Sequence, residues 1–253
     1  MMTQDEEREI KRFCELAESC YSHGTYTYTD FLGLAETDLF FRAAVNFSYL
    51  PYTLYGGSEG CERVMVRFGD EDCLGYPPPP FPIACLRILP KDAKFAEALS
   101  HRDCLGALMN LGIKRERLGD ICCRDGGFYL LCDEKLADYL CEQLTRIRHT
   151  AVVATPCPPP DSVMQQLSAE RVQVSSPRAD AILARAYHLS RGDSADLFPA
   201  RLVFINGRSC TDGSTTLREG DILTARGYGR LRYAGEDGQS RKGKLNIILE
   251  KFV

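Results

Sequence analysis

Arginine is the residue type in this sequence whose number and spacing point to a specific chemistry. Residues 176–253 hold 13 Lys and Arg against 9 Asp and Glu, and ten of these cations are Arg, whereas the rest of the chain holds 18 basic and 26 acidic residues. The guanidinium group is a planar fork of donors that matches phosphate. A basic segment on an acidic body predicts that the C-terminal segment carries an anionic partner, with nucleic acid the best fit. A chance surplus of four charges is the alternative.

The candidate RNA-binding residues fall at predicted helix starts, at strand ends and in turns. Two short helices are predicted, one starting at Pro177 and one capped by Ser190, and Asn206-Gly207 indicates a β-hairpin. This spacing lets several arginines converge on one face, where helix N-termini also present free backbone N–H groups to phosphate. The candidates are Arg178, Arg185, Ser190, Arg191, Arg201, Asn206, Gly207, Arg226, Tyr228 and Arg230.

Several short patterns in this sequence resemble catalytic or metal-binding motifs, but none of them is complete. His101-Arg102-Asp103 resembles the catalytic loop of a protein kinase, but the Asn expected five residues after the Asp is replaced by Leu108. The glycine-rich GGSEG stretch lacks the GK[ST] of a phosphate-binding loop, so a bent hairpin is the better explanation. The twelve cysteines form no CxxC pair, and we expect them to be reduced, buried thiols. The sequence therefore predicts no enzyme activity, no cofactor and no metal.

Two proline clusters divide the chain, because proline cannot continue a helix or a central strand. The first cluster is Pro77–Pro80 with Pro82, and the second is Pro156 with Pro158–Pro160. An α+β protein is predicted, with a small N-terminal domain of helices and strands at 1–76, a middle domain at 81–156 and a C-terminal domain at 177–253. No apolar run approaches the roughly 18 residues that a membrane-spanning helix needs, and the acidic N-terminus is not a secretory signal. We expect a cytoplasmic protein without a membrane span.

The middle segment reads strand, helix, strand, strand, helix, strand. This order predicts a ferredoxin-like, RRM-like βαββαβ fold, which many RNA-recognition domains share but which does not establish function by itself. The aromatic pair that such domains use is represented only by Phe128 and Tyr129. Because successive strand residues face opposite ways, at most one of them can stack on a base. Whether this domain binds RNA stays open.

The C-terminal segment resembles a known RNA-binding module. Residues 177–233 are similar to the small module named after the ribosomal small-subunit protein S-four, with its αL motif. The matching residues are Arg178, Asp180, Leu183, Ser190-Arg191, Leu197, Val203, Asn206-Gly207 and Gly220-Asp221. With GDILTARGYGR in this segment, HRDCLGALMNLGIKRERLGDI in the middle and GGSEGCER in the first, the whole chain resembles the YlmH family of bacterial proteins.

The resemblance implies a C-terminal S-four-type domain and a role on ribosomal or transfer RNA. It further implies association with the ribosome, through large subunits that still carry peptidyl-tRNA. The chain departs from the pattern where a basic residue is usual at Asp193 and Gly is usual at Arg201, and where Pro199 interrupts the second helix. Asp193 and Asp196 are expected to weaken contact with phosphate.

Three functions compete on these observations. The favoured one is a non-catalytic RNA-binding protein of the ribosome, with structured rRNA or tRNA and the large subunit as partners. The second is an RNA-modifying enzyme of the pseudouridine-synthase kind, although such enzymes carry the S-four module ahead of a catalytic domain, whereas here the module comes last. The third is an adaptor that binds proteins through the acidic N-terminal body.

Overall fold

The computed structural model of the chain describes residues 3–92, 94, 97–159, 167–240 and 243–252, so Pro160 of the second proline cluster lies outside the described residues. The chain divides into two compact units, Met1–Met164 and Gln165–Val253. Both combine helices with antiparallel sheets, which confirms the predicted α+β class. None of the helices in the described ranges combines the length and apolarity needed to cross a bilayer.

The N-terminal part of the first unit packs two helices against a three-stranded sheet. Its elements are α1 Gln4–His23, β1 Thr27–Tyr28, α2 Leu34–Ala43, β2 Tyr52–Tyr55, β3 Met65–Phe68 and α3 Glu71–Leu74. The sheet order is β1-β3-β2. Phe40 lies at the centre of the core, with its ring centroid 5.4 Å from that of Phe13 and 5.9 Å from that of Phe68. The predicted bent hairpin is present, since β2 and β3 pair in antiparallel fashion across the glycine-rich stretch.

The middle part of this unit has the split βαβ topology that the sequence predicted. Its elements are β4 Ile83–Pro90, α4 His101–Asn110, β5 Leu118–Arg124, β6 Gly127–Asp133, α5 Ala137–Gln143, β7 Arg146–Ile147 and β8 Thr150–Cys157. The antiparallel order β5-β6-β4-β8 is extended by the short edge strand β7. Ser100 caps α4 through a capping box, as its sequence position indicated. Helices α4 and α5 cover one face of the sheet, where Leu86, Leu108 and Leu140 are buried in one cluster.

Arg63 joins the N-terminal part to the opposite face of the middle sheet. Its guanidinium donates to the carbonyl oxygens of Phe31, Leu118 and Arg115, at 3.0, 2.8 and 3.1 Å. Its backbone N–H donates to a carboxylate oxygen of Asp120 at 3.0 Å. Burial lowers the pKa of Arg63. The negative charges of nearby carboxylates raise this pKa again, but by less than burial lowers it. The GGSEGCER motif therefore ends on a residue that holds the first unit together.

The second unit is a six-stranded antiparallel sheet covered on one face by two short helices. Its elements are β9 Leu167–Val174, α6 Ala179–Ala186, α7 Arg191–Asp196, β10 Val203–Ile205, β11 Arg208–Ser209, β12 Ile222–Ala225, β13 Gly229–Gln239 and β14 Leu245–Phe252. The sheet order is β11-β10-β12-β13-β14-β9. Ile182 and Leu183 of α6 are fully buried against Leu223, Leu231 and other sheet residues.

Strand β9 is a part of this unit that the sequence analysis did not identify. It lies ahead of residue 177 and pairs along its whole length with β14, from Leu167↔Phe252 to Val174↔Leu245. The predicted domain limits at 1–76, 81–156 and 177–253 stay predictions.

Candidate functional site

Three of the candidate arginines line one cleft of the second unit. Arg178, Arg185 and Arg191 border a depression of about 490 Å³ whose other wall comes from the end of β9, with Lys244 at its rim. Among the described lining residues, Asp180 supplies the one carboxylate. The predicted convergence of cations is therefore present for these three arginines.

Of the three cleft arginines, Arg178 already has a carboxylate partner within the chain. It stands at the N-cap of α6, and its Nε and Nη2 donate to the two carboxylate oxygens of Asp180 at 3.1 and 2.6 Å. This contact raises the pKa of Arg178, which is exposed and remains protonated. Exposed ion pairs of this kind contribute little to stability, so a phosphate can replace Asp180 at small cost.

Arg185 and Arg191 are exposed, in the last turn of α6 and the first turn of α7. Within the described ranges neither forms an ion pair with a carboxylate. Their guanidinium groups are therefore available to a partner in the cleft.

The prediction that helix N-termini present free N–H groups here is wrong for α6. The backbone N–H of Ala179 donates to Thr215 O at 2.9 Å, and that of Asp180 donates to Gly213 O at 3.0 Å. The N–H of Ala181 donates to the Asp180 carboxylate at 2.7 Å. The loop before β12 folds over the helix start and satisfies these donors, so recognition in the cleft falls to side chains.

Ser190 caps α7, as predicted, and this role occupies its hydroxyl. The Oγ accepts from the Asp193 N–H at 3.1 Å and donates to the Asp193 carboxylate at 2.7 Å. Neither Asp193 nor Asp196 belongs to the residues that line the cleft. The two negative charges expected to weaken phosphate contact thus lie outside it.

Asn206 and Gly207 form the predicted hairpin turn between β10 and β11. Their φ angles are +50° and +78°, as in the mirror-image turns that favour Asn-Gly. The Asn206 amide donates to the Asp221 carboxylate at 2.8 Å and accepts from the Ile222 N–H at 2.9 Å. Both ends of this amide are bonded within the unit, so the structure gives Asn206 a clear role in joining two turns.

Arg226 and Arg230 lie on the other face of the sheet from α6. Strand alternation places Arg230 opposite the buried Leu231, and its guanidinium carbon lies 3.8 Å from the ring centroid of Phe252. That of Arg226 lies 5.1 Å from the ring centroid of Phe204. The structure does not bring these two arginines into the cleft, so the candidate cations occupy two surfaces.

Tyr228 sits at the exposed tip of the turn between β12 and β13. Gly227 and Gly229 on either side have φ angles of +86° and +136°. The Tyr228 ring is tilted against that of Tyr187, with centroids 5.8 Å apart, and is 44% exposed. An aromatic ring held outward in this way offers a stacking surface for a base.

Arg201 follows α7 in a backbone conformation that favours glycine. Its φ is +56°, and its side chain is exposed. We expect Arg201→Gly to raise the free energy of unfolding by about 0.5–1 kcal/mol, because the left-handed region disfavours residues with a Cβ. Thermal unfolding measures this change. If Arg201 also contacts RNA, the same variant binds RNA more weakly; an unchanged melting temperature would contradict the strain argument.

A second group of arginines lies in the first unit, and sequence reasoning missed two of its three members. Arg102, Arg146 and Arg148 line a groove of about 490 Å³ between α4 and the turn around β7. Arg102 belongs to the His101-Arg102-Asp103 triplet that the sequence analysis considered, at the start of α4. The sequence signal for the others was two arginines two positions apart in TRIRH, which carries no fold information alone.

The middle segment of the chain matches a known protein family. A family model described as "Putative RNA-binding domain in YlmH" matches residues 81–159. Because they are similar to that family model, we call residues 81–159 the YlmH-type domain. The resemblance drawn from the sequence motifs is thereby confirmed, while the S-four character of the second unit stays a prediction.

Two further similarities accompany this match. The chain is 33% identical, over 156 residues, to the "Ribosome-associated protein quality control protein P2" of Bacillus subtilis (strain 168), and the alignment covers 61% of each chain. It therefore spans about three fifths of the length of that relative. The structure of "Cell division protein ylmH from Streptococcus pneumoniae" matches with a TM-score of 0.49 and 21% identity, covering 62% of this chain and 94% of that one.

On the described strands β4–β8 of the YlmH-type domain, one aromatic residue lies on the open sheet face, the face away from α4 and α5. Phe128 is buried beneath the helices, and Tyr129 lies on the opposite face, as strand alternation predicted. The guanidinium carbon of Arg87 lies 4.1 Å from the Tyr129 ring centroid, and its nitrogens donate to the carbonyls of Arg124 and Asp125. Among the described residues, no three His, Cys, Asp or Glu side chains are grouped as metal ligands would be.

Proposed function

We propose that this chain is a non-catalytic RNA-binding protein of the cytoplasm that associates with the large ribosomal subunit and contacts rRNA or tRNA. The observation that carries the proposal is the convergence of Arg178, Arg185 and Arg191 on one cleft. The YlmH-type domain at 81–159 supports RNA as the ligand, and the name of the Bacillus subtilis relative supports the ribosome as the place of action.

The cleft suits the sugar-phosphate backbone of a folded RNA. Arginine forks can each take two phosphate oxygens, and charge-assisted bonds of this kind are stronger than neutral ones. Phosphate contacts position a nucleic acid without reading its sequence. Binding through the cleft is therefore expected to depend on RNA shape and on salt.

The second surface of this unit supplies a different type of contact. Arg226 and Arg230 lie over phenylalanine rings, which hold their guanidinium planes against the sheet. Stacked guanidinium groups fit unpaired bases at an RNA loop. The exposed Tyr228 ring packs against Tyr187 on the α6 side, so it offers a separate stacking surface at the end of the sheet.

Removing the cleft arginines together is expected to weaken RNA binding by about tenfold to a hundredfold at moderate salt. The variant Arg178→Ala/Arg185→Ala/Arg191→Ala loses three cations, and each phosphate contact accounts for about 0.7–0.9 of the slope of log affinity against log salt. Filter binding of the full chain to a tRNA transcript and to large-subunit rRNA, across a salt series, measures both quantities.

The matched control removes the same charge from the same unit outside the cleft, as Arg171→Ala/Arg208→Ala/Arg218→Ala. We expect this control to change the slope by less than one contact. An equal loss in both triple variants would mean that general charge, rather than the cleft, carries binding.

The non-catalytic part of the proposal has its own test. Purified protein is incubated with labelled rRNA and tRNA, and with nucleotides, and the products are examined for base modification and hydrolysis. We expect no turnover. A modification that disappears on substitution of a single Asp or Cys would favour the RNA-modifying alternative.

A further inference from the structure

The groove of the first unit collects cations from elements that are separate in the sequence. Arg102 comes from the first turn of α4, and Arg146 and Arg148 come from β7 and the turn after it. Asn110 and Gln143 add amide groups to the same lining. All three arginines are exposed.

Among the described residues that line this groove, Asp103 has the single carboxylate, and it already accepts hydrogen bonds within the chain. Asp103 accepts from the Ser100 N–H at 2.9 Å and from the Ser100 hydroxyl at 2.6 Å, and these bonds lower its pKa. Arg148 lies 3.5 Å from its other oxygen. Within the described ranges, Arg102 and Arg146 have no carboxylate partner, so the groove retains net positive charge.

The backbone at Arg148 is in the left-handed region, with φ at +52°. Gly, Asn or Asp occupy this region at lower cost than a long side chain. The turn between β7 and β8 therefore does not itself call for arginine. Strained positions of this kind cluster at ligand-binding surfaces.

Gly106 gives an independent indication that a partner approaches the groove. It lies in the middle of α4, where Gly is less favourable than Ala. A Cβ built on Gly106 meets nothing within 4 Å, so packing inside the described chain does not require glycine here. Its place on the groove lining leaves the helix backbone open to close approach by an external group.

The open sheet face of the same domain is less suited to nucleic acid. Arg87 covers the Tyr129 ring. On the same face Leu131 is fully buried, with its side chain against the backbone of Gly57 from the N-terminal part. What stays exposed there is chiefly the apolar pair Leu89 and Val153.

We infer that the YlmH-type domain contacts the phosphate backbone of RNA through the groove between α4 and β7, with Arg102 and Arg146 as the phosphate-binding residues. This inference rests on the proposed function and names the surface through which the domain contributes. The arginine donors and the side-chain amides of Asn110 and Gln143 match phosphate and ribose oxygens. Gly106, which has no side chain, lets the RNA backbone lie against helix α4.

The test uses the full chain carrying the triple substitution of the C-terminal cleft, with a fluorescein-labelled tRNA transcript as the probe. We expect residual, salt-dependent binding by this parent. Adding Arg102→Ala/Arg146→Ala is expected to weaken this residual RNA binding about tenfold. It is also expected to lower the slope of log affinity against log salt by about 1–2. The charge-matched pair Lys114→Ala/Lys135→Ala, outside the groove, is expected to change affinity less than threefold.

Gly106→Ala separates binding from stability. In the same parent it is expected to raise the melting temperature by about 2–4 °C, through helix propensity, and to weaken binding at least threefold. A purely structural groove would give the first effect without the second.

Four outcomes would overturn the inference. They are an equal loss in the lysine pair, a loss in Leu89→Ala/Val153→Ala with none in the groove variants, an unchanged affinity for Gly106→Ala, and a parent without residual binding while the unsubstituted chain binds. If the unsubstituted chain itself binds no RNA, the proposed function fails as well.

Discussion

A fragment that begins at residue 177 is expected to lose most of the stability of the second unit. Strand β9 supplies Val172 and Val174 to the core and pairs with β14 over eight residues. Each buried valine contributes about 1.5–3 kcal/mol relative to an exposed one, and domains of this size are stable by only about 5–15 kcal/mol. We expect 177–253 to unfold without a cooperative transition in urea, whereas 165–253 unfolds cooperatively.

Substitutions within 165–253 serve as the control, because they separate the effect of losing buried side chains from the effect of shortening the chain. In 165–253, Val172→Ser/Val174→Ser is expected to destabilise strongly. Arg171→Ser, at an exposed position of the same strand, is expected to change the free energy of unfolding by less than about 1 kcal/mol. A cooperative transition of 177–253 at the midpoint of the longer fragment would refute the role given to β9.

This boundary also affects how RNA binding must be measured. Residues 173–176 line the cleft beside Arg178, so a fragment lacking β9 loses one wall of the site. Absence of binding by 177–253 would then report a missing strand rather than an inactive cleft.

Local signals predicted the elements that depend on short stretches of sequence. Ser100 and Ser190 cap helices because their hydroxyls reach the N–H three residues on. Asn206-Gly207 turns the chain because both residues accept positive φ. The order of strands and helices along the middle segment followed from the alternation of apolar patterns with turns, and that order indicated the fold type.

The features that depend on contacts distant in sequence could not be predicted. The stretch LSAERVQV has few apolar residues because helices cover only one face of this sheet. Its partner residues lie about 70 to 85 positions further along the chain. Alternation within β13 assigns Arg230 a face opposite Leu231, but it does not say which face carries the helices. The split of the candidate arginines between two surfaces therefore became visible only in the structure.

Arg63 is the clearest case of such a long-range contact, and its removal is expected to have a large effect on the first unit. It lies just before β3, and no local pattern in GGSEGCER predicts that its side chain reaches carbonyl groups on two other segments, at Phe31 and at 115–118. Leu118 O retains a second donor in Arg115, at 2.9 Å. In Arg63→Ala the Arg115 carbonyl keeps the Leu118 N–H as a donor, so among the described hydrogen bonds it is the Phe31 carbonyl that loses its donor.

We expect Arg63→Ala to lower the free energy of unfolding of the first unit by about 1–3 kcal/mol, since a buried acceptor left without a partner costs about that much. Arg63→Lys keeps the charge but has one ammonium in place of the fork, so it is expected to recover less than half of the loss. Arg8→Ala removes an arginine that is 71% exposed and paired with Asp5, and should cost less than about 1 kcal/mol.

Urea unfolding of the full chain, combined with amide hydrogen exchange, locates the effect of Arg63→Ala. The faster exchange should be confined to β5 and to residues 31–33, where the N-terminal part meets the middle sheet, and the second unit should be unaffected. Because Asp120 still accepts the backbone N–H groups of residues 62 and 63, the contact is expected to loosen rather than separate. Unchanged exchange in β5 would mean that Asp120 and the packing of Phe31 hold the two parts together without the guanidinium.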